Sequence, residues 1–327
     1  MEYLLLVGGL VLLVVSGNYL IEAAVGIAQK FKLSPLIIGM TIVAFGTSAP
    51  ELMVSVQAAL GNHSEMALGN VLGSNIVNIG LILGVTALIL PIRVEAKSIK
   101  VDWSFLMTIS ILLVALAWGG SFGRVEGAIA VCLLLLFTVY SIYSSRKDSV
   151  QEEYESPKKS FLFNIIIFVV ACVGIAYGAD FMVQGATVIA SNLGVSERII
   201  SIFIIGVGTS LPELTASLVA AIKKEDSMSL GNIIGSNIFN TLSVLGITAI
   251  IKPITFTDAN FHSDFIWMLV FTLLLYVGMI NVKQNIKETE RTKKPIKLFN
   301  TGNGIIGRLF GVLLIAVYAC YIASQFL

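Results

Sequence analysis

Long apolar runs separated by short polar stretches dominate the chain. A bilayer span needs roughly 20 apolar residues, and on that criterion about ten spans are predicted, near residues 3–28, 34–60, 66–90, 103–118, 125–145, 161–190, 196–222, 228–251, 264–282 and 303–325. Two polar linkers interrupt them, Arg146 to Lys159 (RKDSVQEEYESPKK) and Lys283 to Lys297 (KQNIKETERTKKPIK), both too charged to bury. The first apolar run follows Glu2, with no basic leader and no small-residue cleavage site, so it is read as a retained transmembrane helix.

The pattern then repeats itself. GTSAPELMVSVQAAL at Gly46 to Leu60 matches GTSLPELTASLVAAI at Gly208 to Ile222, and MALGNVLGSNIVN at Met66 to Asn78 matches MSLGNIIGSNIFN at Met228 to Asn240. Every matched pair is separated by the same 162 positions, without a gap from about Ser16 to Ile92. The repeating unit is therefore a whole group of five helices rather than a short motif. Five is odd, so the two copies cross the membrane in opposite senses. The expected fold is an all-α integral membrane protein of about ten helices in two inverted-topology repeats, residues 1–145 and 161–327, joined by a cytoplasmic linker at 146–160. Inverted repeats recur in secondary transporters, with the binding site near the bilayer midplane where the halves meet.

Composition agrees with a membrane location. Of 327 residues, 56% are hydrophobic and 13% charged, against about 25% charged in a soluble domain; mean hydropathy is +0.91. Net charge is +1 and the basic residues are dispersed between apolar runs, which argues against a nucleic-acid surface. Assigning alternate loops to one side collects Lys30, Lys32, Arg93, Lys97, Lys100, Arg146, Lys147, Lys158, Lys159, Lys223, Lys224 and the Lys283 to Lys297 group. The other side receives only Arg124, Arg198 and Lys252. The positive-inside rule makes the first set cytoplasmic, in the cell (inner) membrane, with both termini outside. Cys132, Cys172 and Cys320 stand alone in apolar runs and read as packing residues, and His63 and His262 read as interfacial.

The chemistry concentrates in the repeated motif. GTSxPE puts a proline and an ionisable residue inside a span. Pro50 has no amide hydrogen, so the Gly46 carbonyl loses its helical partner, and Pro212 frees Gly208 likewise. Thr47 and Ser48 precede Glu51 by four and three residues, which allows their oxygens to share its side of the helix, as Thr209 and Ser210 do with Glu213. The next helix of each half adds a stripe spaced by four, Asn70, Ser74 and Asn78, repeated as Asn232, Ser236 and Asn240. Gly69 and Gly73, with Gly231 and Gly235, lie beside the stripes and would permit close helix contact. Asn75 and Asn237 lie off the stripe, as supports or as direct ligands.

An ionised carboxylate near the bilayer centre costs at least about 2.5 kcal/mol on insertion scales. Apart from Arg198, assigned to the loop at the start of the 196–222 span, no lysine or arginine lies within the four motif helices to offset Glu51 and Glu213. Intramembrane acids without basic partners are functional by default. A nest of carboxylate, hydroxyl, amide and carbonyl oxygens suits a hard cation, calcium more readily than magnesium; the same oxygens would equally serve monovalent ions.

GTSAPE with GNVLGSNIVN, and GTSLPE with GNIIGSNIFN, resemble the two α-repeats of the cation/calcium exchanger superfamily, in its sodium/calcium exchanger branch. The short central linker resembles compact prokaryotic members. The resemblance implies a ten-helix fold, alternating access, and electrogenic exchange of sodium for calcium, with these ions as cargo and no cofactor. Carried over residue by residue, it implies that Glu51, Glu213 and the carbonyls of Thr47 and Thr209 hold calcium. Sodium would use the same carboxylates with Ser48, Ser74, Ser210, Ser236 and the carbonyls of Ala44 and Gly206, and Asn78 and Asn240 would line the centre. One position departs: potassium-dependent exchangers, and some sodium-only relatives, carry aspartate where this chain has Asn240, so the amide lowers the available negative charge and potassium co-transport is disfavoured. The resemblance implies that the first and sixth helices slide across the core to switch access, and Gly17, Gly26, Gly174, Gly178 and Gly185 would suit such a smooth contact; Glu22 and Asp180 on these helices are not expected to hold cargo.

Rival readings are a proton/calcium antiporter, whose branch has a different motif, and a channel with a carboxylate ring. An intramembrane hydrolase would need a base beside Ser48 or Ser210, and none accompanies them. One chain already holds both acids, so a monomer is expected to suffice.

Overall fold

The computed structural model describes residues 1–95, 98–148, 159–194, 206–258, 260–280 and 304–325. Positions 149–158 of the central linker, the Lys283 to Lys297 linker and positions 196–205 of the seventh expected span lie outside the described residues.

In the first half, α1 (Glu2–Phe31) is followed by α2 (Pro35–Ile38), which runs through a π-helical stretch (Gly39–Val43) into α3 (Ala44–Thr47). Then come α4 (Ala49–Leu60) and α5 (Ser64–Val77), the latter continued by a π-helical stretch (Asn78–Leu83) and α6 (Gly84–Ile89). Strand β1 (Ile92–Val94), a π-helical turn (Ser98–Trp103) leading into α7 (Ser104–Ala117), strand β2 (Ser121–Phe122) and α8 (Arg124–Asp148) complete it. The second half has α9 (Phe161–Asn192), α10 (Gly206–Gly208), α11 (Leu211–Ile222), and α12 (Asp226–Phe239) with its own π-helical stretch (Asn240–Val244) and α13 (Leu245–Ile251). Strand β3 (Ile254–Thr255), α14 (Asn260–Met279), β4 (Gly304–Ile306) and α15 (Arg308–Ser324) follow.

Among the described residues, seven helices are long and apolar enough to cross a membrane, and α2–α3 with α4 form an eighth, bent by 44°. The shorter apolar helices α11 and α15 bring the set to ten segments, in line with the ten expected. Local chemistry sets several boundaries. Ser34 caps α2 by accepting the Ile37 N–H, with Pro35 in the first turn where its missing N–H costs nothing. Ser160 caps α9 in the same way, and Lys32 ends α1 in the left-handed conformation.

The α12–α13 span is 89% buried and the α5–α6 span 72%, whereas α1 and α7 are 33% and α8 and α9 28% buried. The third helix of each half is thus the centre of the molecule. Leu4, Leu136, Val139 and Leu162 on the peripheral helices are exposed, as a lipid-facing surface requires. Helices α1 and α9 pack on each other and share an apolar cluster with Ile38, Val43, Ala216 and Val219, separate from the main core around α5 and α12.

The glycine expectation needs correction. Gly174, Gly178 and Gly185 do not face the core: a Cβ at Gly178 would meet Gly9 and Leu13 of α1 at 3.0 Å, and one at Gly185 would meet the Glu2 carbonyl at 2.6 Å. They bring α9 onto α1. Gly17 alone of the set meets the core helix α11, where its Cβ would lie 2.7 Å from Thr215. Gly231 and Gly235 do allow close contact, the latter with Met40 backbone 2.6 Å from a built Cβ, but no described atom lies within 4 Å at Gly73.

Two antiparallel strand pairs cross between the halves. Ile92–Val94, leaving the third helix of one half, pairs with Gly304–Ile306, entering the last helix of the other, and Ser121–Phe122 pairs with Ile254–Thr255 in the reciprocal way. Pro35, Arg93, Lys224 and Ile305 line one cleft of about 490 Å³, which brings the loops that carry Arg93 and Lys224 together on one face.

Candidate cation site between the repeats

The proline does not sit inside one continuous helix. The first helix ends at Thr47 and a new one begins at Ala49, with Ser48 between them outside helical geometry (φ −86°, ψ 5°). Pro50 and Pro212 therefore occupy first turns, and Glu51 and Glu213 lie at helix starts, where the partial positive charge of unpaired N–H groups favours a carboxylate.

Both acids are fully buried, Glu51 at 1% and Glu213 at 0% exposure. Among the described residues no basic side chain pairs with either. Ser48 Oγ donates to Glu213 Oε1 at 2.9 Å. The serine thus serves the carboxylate of the other repeat, not the Glu51 three residues after it. Thr47 Oγ1 contacts its own Ala44 carbonyl at 3.3 Å and Asn232 Oδ1, across the repeat boundary, at 3.4 Å. The Ala44 carbonyl also accepts the Ser48 N–H at 2.9 Å.

Asn70 and Asn232 do the same work in the two halves. Asn70 Nδ2 donates to the Glu51 carbonyl at 3.2 Å and to Ser55 Oγ at 2.9 Å; Asn232 Nδ2 donates to the Glu213 carbonyl at 3.3 Å and to Ser217 Oγ at 2.9 Å. These amides fasten the backbone of each acid to the third helix. The serine partners were absent from the sequence argument, although Ser55 and Ser217 stand at matching positions of the repeated motif. Asn75 donates across the boundary to Thr241 Oγ1 at 2.9 Å, while Asn237 turns back to its own Ile233 carbonyl at 2.8 Å. The position equivalent to Thr241 is Ile79, so Asn237 has no matching hydroxyl to reach.

Other buried polar atoms have no hydrogen-bond partner among the described residues: both oxygens of Glu51, Oε2 of Glu213, the hydroxyls of Ser210 and Ser236, and the whole amides of Asn78 and Asn240. A stranded buried polar group costs about 1–3 kcal/mol, more if charged. Such a concentration in symmetry-related positions fits groups reserved for cationic cargo. Ser74 is buried at its place on the stripe, Thr209 is half-buried beside Ser210, and Gly206 begins α10. Asn78 and Asn240 each open a π-helical stretch, an irregularity that often marks functional sites and that periodicity did not reveal. Among the described residues no group of three or more His, Cys, Asp or Glu side chains could hold a metal, so the two carboxylates supply the acidity of this site.

The other singled-out residues lie elsewhere. Glu22 pairs with Lys223 at 2.9 Å and Lys159 at 3.8 Å, and Asp180 accepts from Gln184 at 2.7 Å. Cys132 and Cys320 are exposed on the periphery, and Cys172 packs against Gly46.

Residues 1–145 and 163–327 match the family described as sodium/calcium exchanger protein. The putative antiporter CaxA of Alkalimonas amylolytica is 41% identical over 82% of this chain and 86% of its own length. The sodium/calcium exchanger MaX1 of Methanosarcina acetivorans is 29% identical over 88% of this chain and 94% of its own. A solved structure of the sodium-calcium exchanger NCX_Mj, soaked with sodium and strontium ions, superposes with a TM-score of 0.80 at 28% identity, covering 98% of this chain and 97% of the other. These relatives are transporters rather than enzymes, and the likeness carries the inverted ten-helix fold. The chain belongs to the sodium/calcium exchanger family of multi-pass membrane proteins.

Proposed function

We propose that this protein exchanges sodium for calcium by alternating access, electrogenically, at a single site built on Glu51 and Glu213. The observation that carries the reading is the pair of fully buried carboxylates, without basic partners among the described residues, ringed by unpartnered oxygens. Two carboxylates neutralise one calcium, whose six to eight oxygen ligands and tolerance of irregular geometry suit this mixed set. Thr47 and Thr209 carbonyls would complete its shell. Sodium would take the same carboxylates with Ser48, Ser74, Ser210 and Ser236 and the carbonyls of Ala44 and Gly206, and Asn78 and Asn240 would line the centre. Because the ions share ligands, occupation by one excludes the other, and that competition couples their fluxes. The basic loop face is assigned to the cytoplasm of the cell (inner) membrane, with both termini outside, and the working unit is a monomer.

The test is radiocalcium uptake into proteoliposomes. An outward sodium gradient should drive uptake with pH clamped at both faces, and a pH gradient alone should not. Uptake driven by pH and indifferent to sodium would establish the proton-coupled alternative, which the CaxA relative's name, giving antiport without an ion, leaves available.

A further inference from the structure

The two repeats hold the same motif in two conformations. Ser48 Oγ donates to Glu213 Oε1 at 2.9 Å, whereas, among the described residues, its counterpart Ser210 has an unpartnered hydroxyl and Glu51 has neither oxygen bonded. The backbone at the break is also wound differently. The Ser48 N–H reaches four residues back to the Ala44 carbonyl at 2.9 Å, while the Ser210 N–H reaches three back to the Val207 carbonyl at 3.0 Å. The hydrogen-bonding side chains of GTSAPE and GTSLPE are the same, the motifs differing only at Ala49 against Leu211, while the two positions before them are Ala44 and Phe45 in one repeat and Gly206 and Val207 in the other.

The repeats are related by an exchange of positions that carries Ser48 to Ser210 and Glu213 to Glu51. Applied to the observed bond, that exchange generates a Ser210–Glu51 bond of the same chemistry. The Thr47–Asn232 contact generates Thr209–Asn70 likewise. We propose that the Ser48–Glu213 and Ser210–Glu51 hydrogen bonds are mutually exclusive alternatives, one made in each of two access states, so that the motif serines form a reciprocal latch. Holding one carboxylate releases the other, and each state presents one tethered acid and one with both oxygens open. The bistability comes from near-identical motifs having two settings of similar energy, of which the molecule adopts one in each half. The inference rests on the antiporter reading above only in taking the two states to alternate.

The latch predicts opposite consequences for two chemically identical substitutions. Ser48→Ala removes a bond from the state described here and shifts the population away from it; Ser210→Ala removes a bond from the other state and shifts the population toward this one. If both serines were simply cargo ligands, the two substitutions would act in the same direction and would accumulate.

The experiment uses the full chain in liposomes, with Cys132, Cys172 and Cys320 replaced by alanine. Single reporters are placed by Val25→Cys, in a cleft of about 480 Å³ beside Glu22 and Lys223, or by Thr187→Cys, the equivalent position of the other half. Labelling rates with a membrane-impermeant maleimide are measured from each side in choline buffer without sodium or calcium. Ser210→Ala should raise the Val25-to-Thr187 rate ratio about tenfold and Ser48→Ala should lower it about tenfold, as expected for one hydrogen bond to a charged group. The double variant should return to within about twofold of the parent, and Ser48→Thr, which keeps the hydroxyl, should stay near the parent. Shifts in the same direction, an accumulating double variant, or no shift in Ser210→Ala would overturn the latch. No flux enters the ratio, so its failure leaves sodium/calcium exchange standing, and failure of sodium to drive uptake leaves the latch standing.

Discussion

Replacing Asn232 with alanine distinguishes a backbone fastener from a cargo ligand. Its amide nitrogen donates to the Glu213 carbonyl at 3.3 Å and to Ser217 Oγ at 2.9 Å, its oxygen meets Thr47 at 3.4 Å, and the residue is 1% exposed. Each net hydrogen bond is worth about 1 kcal/mol. Thr47 keeps the Ala44 carbonyl as an alternative at 3.3 Å, so the third contact counts for little. Two bonds and a partly collapsed cavity amount to about 2–4 kcal/mol. Asn70→Ala removes the same pair of bonds, at 3.2 and 2.9 Å, from a half-buried position, where water can replace them, and should cost about 1–2 kcal/mol. The two variants are compared by thermal unfolding in detergent and by apparent calcium affinity in proteoliposomes. Asn232→Ala should be the less stable, with affinity falling in step as the Glu213 backbone shifts. Undiminished stability together with a collapse in calcium affinity would show that the amide binds cargo, and the fastening argument would be wrong.

Glu213→Gln should abolish calcium exchange in a folded protein, because it keeps the shape and removes one of the two charges; near-normal uptake would sink the site assignment. Asn240→Asp should change the monovalent-ion dependence of calcium uptake, and an unchanged ion profile would show that position 240 does not face cargo. Gly235→Ala should lower stability by about 1–3 kcal/mol, since its Cβ would lie 2.6 Å from Met40 backbone, whereas Gly73→Ala should be neutral or stabilising in the same unfolding assay. Burial, with the neighbouring Asp226 charge adding to it, raises the Glu225 carboxyl above its ordinary value of 4.5. A carboxyl raised in the folded state costs stability as it ionises, so stability should fall as pH rises from about 4.5 upward. Glu225→Gln should flatten that stretch of the stability–pH curve, and an unaltered slope would refute the assignment.

The sequence made the large features legible because they rest on coarse physics. Apolar length gave the ten segments, and the 162-residue offset gave the repeats and the paired acids. What escaped depends on pairing across the repeat boundary, which no local pattern encodes. Thr47 and Ser48 were placed beside Glu51 by helical spacing, yet Ser48 turns to Glu213 because the helix ends at Thr47 and restarts at Ala49. The asparagine stripe was visible as a stripe, but Asn70 and Asn232 spend their amides on carbonyl and serine partners, while Asn78 and Asn240 keep theirs unpartnered. Spacing by four cannot separate those roles. The glycines of α9 read correctly as small contact residues, but the surface they meet is α1, a partner that only the packing reveals.

The crossed strand pairs carry a consequence for biosynthesis. Ile92–Val94 leaves the ribosome early, while its partner Gly304–Ile306 emerges only when the last helix is about to follow. The first half cannot complete its strand pairing, nor Ser48 find Glu213, while it is alone. Contacts this distant along the chain form slowly. The nascent N-terminal half therefore waits in the membrane with an open strand edge and an unfinished acidic site, and the ability to move ions arrives only with the final helix.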